Sequence, residues 1–182
     1  MTQDLRVVKT QAAIQQAFWT LLATRPLQKI AIADLVASAH IGKATFYHHY
    51  VDKYDLARQL GMKVQAPVIA ECVQRIHSQH LDALWQPMPS TILQQAHHIR
   101  LLDTIQTPEF NGQTTMITAL EASFRQALVT RDPRFKQLQS VSLELATLYQ
   151  HVVIVDLIGD GQDATQPMTA LQQAIPLIFP QP

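Results

Sequence analysis

The chain has 182 residues, and its 47% hydrophobic share is enough to bury a core and excludes a disordered chain. A single cysteine, Cys72, excludes an intrachain disulfide, and no stretch approaches the ~18 apolar residues of a membrane span. The formal net charge of zero is divided unevenly: residues 1–63 hold eight Lys and Arg against four Asp (net +4), and the remainder holds six against ten Asp and Glu (net −4), so attraction for phosphate sits at one end.

The amino terminus, MTQDLRVVKT, lacks the apolar core and cleavage site of a secretory signal, and with Cys72 as a buried helical thiol the expected location is cytoplasmic. Residues 4–24 are a predicted helix, with Ile14, Ala17, Phe18, Leu21 and Leu22 on one face and Pro26 as its stop. Trp19 lies off that stripe and is expected at its edge. This helix buttresses the next two.

Residues 31–53 read AIADLVASAHIGKATFYHHYVDK. Ile32, Leu35, Val36 and Ala39 form the apolar stripe of a short helix. After the break at residues 39–42 comes a second short helix over 43–49, with Phe46 and Tyr50 on its inner face. Lys43, Ala44, Thr45, Tyr47 and His48 lie opposite, all small, hydroxylated or basic. This is the layout of a helix-turn-helix, whose second helix enters a DNA major groove. The turn wants a residue at positive φ, and His40 is the candidate, since His is among the few non-glycine residues enriched there. Gly42 caps the second helix. Asp52 caps a further helix, with Asp55 in its first turn.

The stretch resembles the DNA-binding domain of the TetR family of bacterial transcriptional regulators. The resemblance rests on Asp34-Leu35-Val36, Ala39-His40-Ile41-Gly42, Thr45-Phe46-Tyr47-His48-His49-Tyr50 and Asp52-Lys53, with Thr10, Ile14, Phe18 and Leu21 upstream. It covers residues 5 to about 60, a third of the chain, and departs from the family pattern at Ala31, His40 and Gly42. It implies an all-α fold of about nine helices: a three-helix DNA-binding domain over 1–63, then a helical ligand-binding and dimerisation domain over 64–182. Lys43, Ala44 and Thr45 would then reach base edges. Tyr47, His48 and Lys53 would clamp phosphate, with Thr10 and Lys9 reaching it from the first helix.

The fourth helix is expected to end near Gly61 and Pro67, the domain boundary. Further helices are predicted over 68–84, 91–105 (capped by Ser90), 114–130, 135–158 and 164–178, with loops at 85–89, 107–112, 132–133 and 159–161. The 135–158 helix is apolar nearly all round, so it needs cover on several sides. Leu145, Val152 and Val155, with Met168, Leu171 and Ile175 of the last helix, are expected to form a two-fold four-helix bundle in a homodimer, as the resemblance also implies. Trp85, Met88, Phe110, Met116, Phe124 and Tyr149 are candidates to line a pocket for an unknown, largely apolar effector, with His97, His98 or Arg100 as polar contacts.

Catalytic signatures are missing from the sequence. Its five glycines form no phosphate loop, and nothing calls for a cofactor. His77 and His80, or His97 and His98, lack the ligand set of a metal site, so none is expected. The function expected is a repressor released from operator DNA by a small molecule. The alternatives are an effector-independent DNA-organising protein and, third, a small helical enzyme.

Overall fold

The structure, a computed structural model, describes residues 5–78, 83–84, 86–137 and 139–158. Trp85, Met168, Leu171, Ile175 and the helix expected over 164–178 lie outside the described residues. Among the described residues the fold is all-helical, with eight α-helices and no strand. They are α1 (Leu5–Leu22), α2 (Ile32–Ser38), α3 (Lys43–His49), α4 (Lys53–Ile76), α5 (Ser90–Leu93), α6 (Ala96–Asp103), α7 (Gly112–Arg131) and α8 (Gln139–Val152). Short 3-10 turns occupy Leu27–Lys29 and Pro133–Gln137, and α8 runs on into a π-helical turn, Val153–Leu157.

The chain divides into two compact units, one of residues 1–63 with 101–112, the other of 64–100 with 113–182. In the first, Ile14, Phe18, Leu22, Leu27, Ile30, Leu35, Phe46 and Leu56 form the core. Trp19 belongs to this core, not to its edge. It is 8% exposed and packs edge-on against Phe18, ring centroids 5.1 Å apart. In the second, Met116, Leu120, Phe124, Leu128, Leu145, Tyr149 and Val152 are buried.

Two expected elements are drawn differently. Helix α4 does not end at Gly61 or Pro67 but continues through both to Ile76. Leu56, Leu60, Val64, Val68 and Cys72 recur every fourth residue and are all buried, and this stripe outweighs the local breaker. Pro67 lies on the exposed face, where its missing backbone donor costs least. The single helix expected over 91–105 is two, α5 and α6. Pro89 occupies the cap position, and Ser90 is the first helical residue.

Candidate nucleic-acid interface

Each half of the α2–α3 pair is fixed by local chemistry. The Asp34 carboxylate accepts from the Ala31 N–H at 3.0 Å, closing the first turn of α2, and pairs with Arg25 at 2.8 Å. Ala31 has no side-chain acceptor, so only this half of a capping box exists. At the other end, the Ile41 N–H donates to the Val36 carbonyl at 3.0 Å and the His40 N–H to the Ala37 carbonyl at 3.2 Å. That pair of bonds is a Schellman closure, which places one residue in the left-handed region. The residue is His40, at φ 54°.

Gly42 adopts the extended cap conformation, and its carbonyl accepts from the Phe46 N–H at 3.2 Å. Phe46 is fully buried and Tyr50 is 4% exposed, their rings 5.7 Å apart, so they hold the inner face of α3. A seven-residue helix is far below the ~12–15 residues that an isolated helix needs in water. These two anchors and the turn therefore define it. Outward, Lys43, Ala44 and His48 are exposed, Thr45 is half-buried, and Tyr47 is 54% exposed. On α3, four of the five side chains expected at a DNA surface are thus exposed.

Helix α4 opens on Asp52, whose Oδ1 accepts from the Tyr54 and Asp55 N–H groups at 2.8 and 2.7 Å. Asp55 reaches back to the Val51 N–H at 3.1 Å and pairs with Arg58. Burial raises its carboxyl pKa, but Arg58, the Val51 N–H and Gln59 outweigh this and hold it below the ordinary value. Two other candidates have internal partners. Thr10 donates to the Arg6 carbonyl at 2.9 Å. Lys53 donates to the Gln28 and Ile30 carbonyls at 2.9 and 2.8 Å, and its ammonium lies 5.1 Å from the centre of the Tyr54 ring. The two carbonyls that Lys53 reaches are more than twenty residues away and have no pattern in the sequence. The one available hint was a cation placed at the positive end of a helix dipole.

The effector candidates are divided between the two units, four of them buried together in the second. Met88, Met116, Phe124 and Tyr149 are core residues of the second unit. Phe124 meets Tyr149 edge-on at 5.8 Å, and the Tyr149 hydroxyl donates to the Leu84 carbonyl at 3.2 Å. Arg100 donates to the Ile158 carbonyl at 3.0 Å. His97 is exposed; burial and then its neighbour His97 lower the pKa of His98, favouring the neutral ring. Phe110 belongs to the first unit, where its ring covers Gly61. A shallow concavity of about 210 Å³ lies there too, lined by Val51, Asp52, Tyr54, Asp55, Arg58 and Glu109, none of them an effector candidate. Among the described residues no three His, Cys, Asp or Glu are grouped as a metal site would require, and no helix is long and apolar enough to cross a membrane.

Of the dimer candidates, Leu145 and Val152 are buried by the chain itself and Val155 is half-buried. The apolar side chains that α8 leaves open are Leu143 and Leu148, each 47% exposed.

Residues 14–60 match the family described as bacterial regulatory proteins, tetR family. The chain is also 37% identical over 67 residues to an uncharacterised HTH-type transcriptional regulator, YxbF, of Bacillus subtilis (strain 168). That match covers 36% of this chain but only 18% of the relative's length.

Proposed function

From the match of residues 14–60 to the tetR family of bacterial regulatory proteins and the likeness to an HTH-type transcriptional regulator, we propose that the protein is a dimeric, sequence-specific, cytoplasmic repressor. A small, largely apolar ligand releases it from operator DNA. The observation that carries this reading is the accessible face of α3: Lys43, Ala44, Tyr47 and His48 project outward from a helix locked from behind by Phe46 and Tyr50.

In the major groove, Lys43 donates to guanine O6 and N7, and Ala44 and the Thr45 methyl meet a thymine methyl. Tyr47 and His48 donate to phosphate and set the register. Thr10 is the weaker candidate, because its hydroxyl proton already serves Arg6. Two copies joined through α8 present two recognition helices to successive grooves about 34 Å apart. Residues 64–182 supply the effector and dimerisation surfaces. Gln65, Arg75, Ser123, Ser142, Tyr149 and Gln150 place polar groups among the buried apolar residues of the second unit, the mixture that small-molecule sites use.

The test begins with selection of duplexes from a randomised pool by the purified protein, followed by footprinting. An enriched pseudo-palindrome is expected, and Lys43→Ala should relax preference at one base pair per half-site. An unenriched pool would overturn the DNA-reading assignment. A ligand screen on the body, read by operator affinity, then tests release. Hits that bind without changing operator affinity favour the DNA-organising alternative, and turnover of a hit would favour an enzyme.

A further inference from the structure

We infer that Lys53 is a positioning residue for the recognition helix, not a phosphate ligand: its ammonium clasps the carbonyls that precede α2 and so closes the ends of the DNA-reading segment. The inference rests on the DNA-binding reading and asks how its geometry is maintained.

Lys53 is the first residue of α4, and its acceptors Gln28 and Ile30 stand just before α2. Everything that reads DNA, α2, the turn and α3, lies between Ile30 and Lys53. An ammonium has three donors. Two go to the carbonyls at 2.9 and 2.8 Å, and the face of Tyr54 lies 5.1 Å from the nitrogen. Lys53 is only half-exposed, whereas Lys43 on α3 is exposed. With two donors committed to the carbonyls, a phosphate would have to be held by the remaining donor alone. A cation at a helix N-terminus opposes the dipole, and the two carbonyl dipoles offset that cost. Ile30 is fully buried and anchors its end of the clasp in the core. Phe46 and Tyr50 fix the inner face of α3, and Lys53 fixes the distance between the chain entering α2 and the chain leaving α3.

The two roles differ in measurable ways. A phosphate ligand contributes about 0.9 to the slope of log affinity against log salt, and its loss weakens all duplexes alike. Loss of a clasp leaves the slope unchanged and weakens the selected site more than a scrambled one, because it disturbs base contacts. Lys53→Ala is titrated over a salt series with a duplex selected by the wild-type protein and with a scrambled duplex of equal length. The expected result is an unchanged slope and a roughly tenfold fall in the ratio of the two affinities, the size of one disturbed base contact. A slope reduced by about 0.9 with an unchanged ratio would overturn the inference.

Wild-type protein provides a second arm that no folding defect can obscure. Mild reductive methylation, mapped by mass spectrometry with and without the selected duplex, compares Lys53 with Lys43. A clasped Lys53 reacts markedly more slowly than Lys43 in the protein alone, and the duplex changes it little while protecting Lys43. A Lys53 as reactive as Lys43 without DNA, and protected by the duplex, would overturn the clasp. If no duplex protects Lys43, the DNA-binding reading fails instead, and the comparison without DNA still decides the clasp.

Discussion

Gly61 sits in the interior of α4, where Gly costs about 0.5–1 kcal/mol relative to Ala, so something specific must favour it. The structure supplies the reason in the Phe110 ring. A methyl built on Gly61 would stand 2.8 Å from Cε2 of Phe110 and closer still to Cζ. The ring cannot easily retreat. The Thr107 hydroxyl donates to the Phe110 carbonyl at 2.9 Å and accepts from the Phe110 N–H at 3.1 Å. The Gly112 N–H closes the loop on the Ile105 carbonyl at 3.0 Å. Overpacking of this kind costs about 1–3 kcal/mol. Gly61→Ala should therefore destabilise the protein by about 1–2 kcal/mol net, with the clash outweighing the helical gain. Phe110→Ala alone should cost about 3–5 kcal/mol. In that background Gly61→Ala should become stabilising by about 0.5–1 kcal/mol, because the obstacle is gone. The assay is a double-mutant cycle by urea denaturation followed by helical circular dichroism. The diagnostic quantity is an interaction energy of about 1–3 kcal/mol between the two sites. Equal effects of Gly61→Ala in both backgrounds would refute the account of Gly61.

Other outcomes follow from single groups. His40→Gly should raise stability by about 0.5–1 kcal/mol in thermal melts, since the left-handed turn at φ 54° penalises any Cβ; a lower melting temperature would mean that the imidazole contributes more than its strain. Burial pushes the Cys72 thiol up to about 12, so iodoacetamide at pH 8 should leave it intact in folded protein and label it in denaturant; rapid native labelling would contradict its burial. Asp55→Asn should cost about 1–2 kcal/mol at pH 7 by weakening the Arg58 and Val51 bonds. Because the folded carboxyl titrates below its ordinary value, its stabilisation is complete at neutral pH and lost as pH falls through the folded value, so wild type and variant should converge in acid; a gap that does not narrow as the pH is lowered would refute the charge argument. Leu148→Lys, at a 47% exposed position, should leave stability within about 0.5 kcal/mol but shift sedimentation toward monomer, whereas an unchanged dimer would move the interface off this face.

The α2–α3 unit was legible because its signals are local. His40 at the turn, Gly42 before α3 and Asp52 before α4 each act within five residues, and each is found in the expected role; Asp34, three residues after Ala31, acts as locally. Gly61 and Pro67 misled because propensity reasoning gives a breaker weight, while the fourfold-spaced stripe from Leu56 to Cys72 wins through tertiary burial. Lys53 was assigned by analogy to phosphate, and only the three-dimensional placement of Gln28 and Ile30 shows what its ammonium touches. Helix α8 shows the limit of periodicity. A helix apolar all round does not reveal which side its own chain covers, so Leu145 and Val152 were nominated for a partner although they are core, and the exposed Leu143 and Leu148 were passed over.

Taken together, the supports of α3 tie DNA affinity to the stability of the first unit. Seven residues cannot hold a helix alone, so the recognition surface exists only while the His40 turn, the Phe46 and Tyr50 anchors and the Lys53 carbonyl bonds are made together. None of these groups needs to touch a base. If a substitution lowers the fraction of molecules with α3 in place, apparent affinity falls by that same fraction. The salt slope is unaffected, because it counts phosphates contacted in the complex. Loss at Lys43 should relax base preference, and loss at Tyr47 or His48 should weaken all duplexes alike. Loss at Phe46 or Tyr50 should lower affinity in proportion to the unfolding of α3 and recover on cooling, since unfolding of this short helix is favoured by heat. The net charge of +4 on residues 1–63 attracts phosphate without regard to sequence, so preorganisation of α3 governs the preference for one site over another.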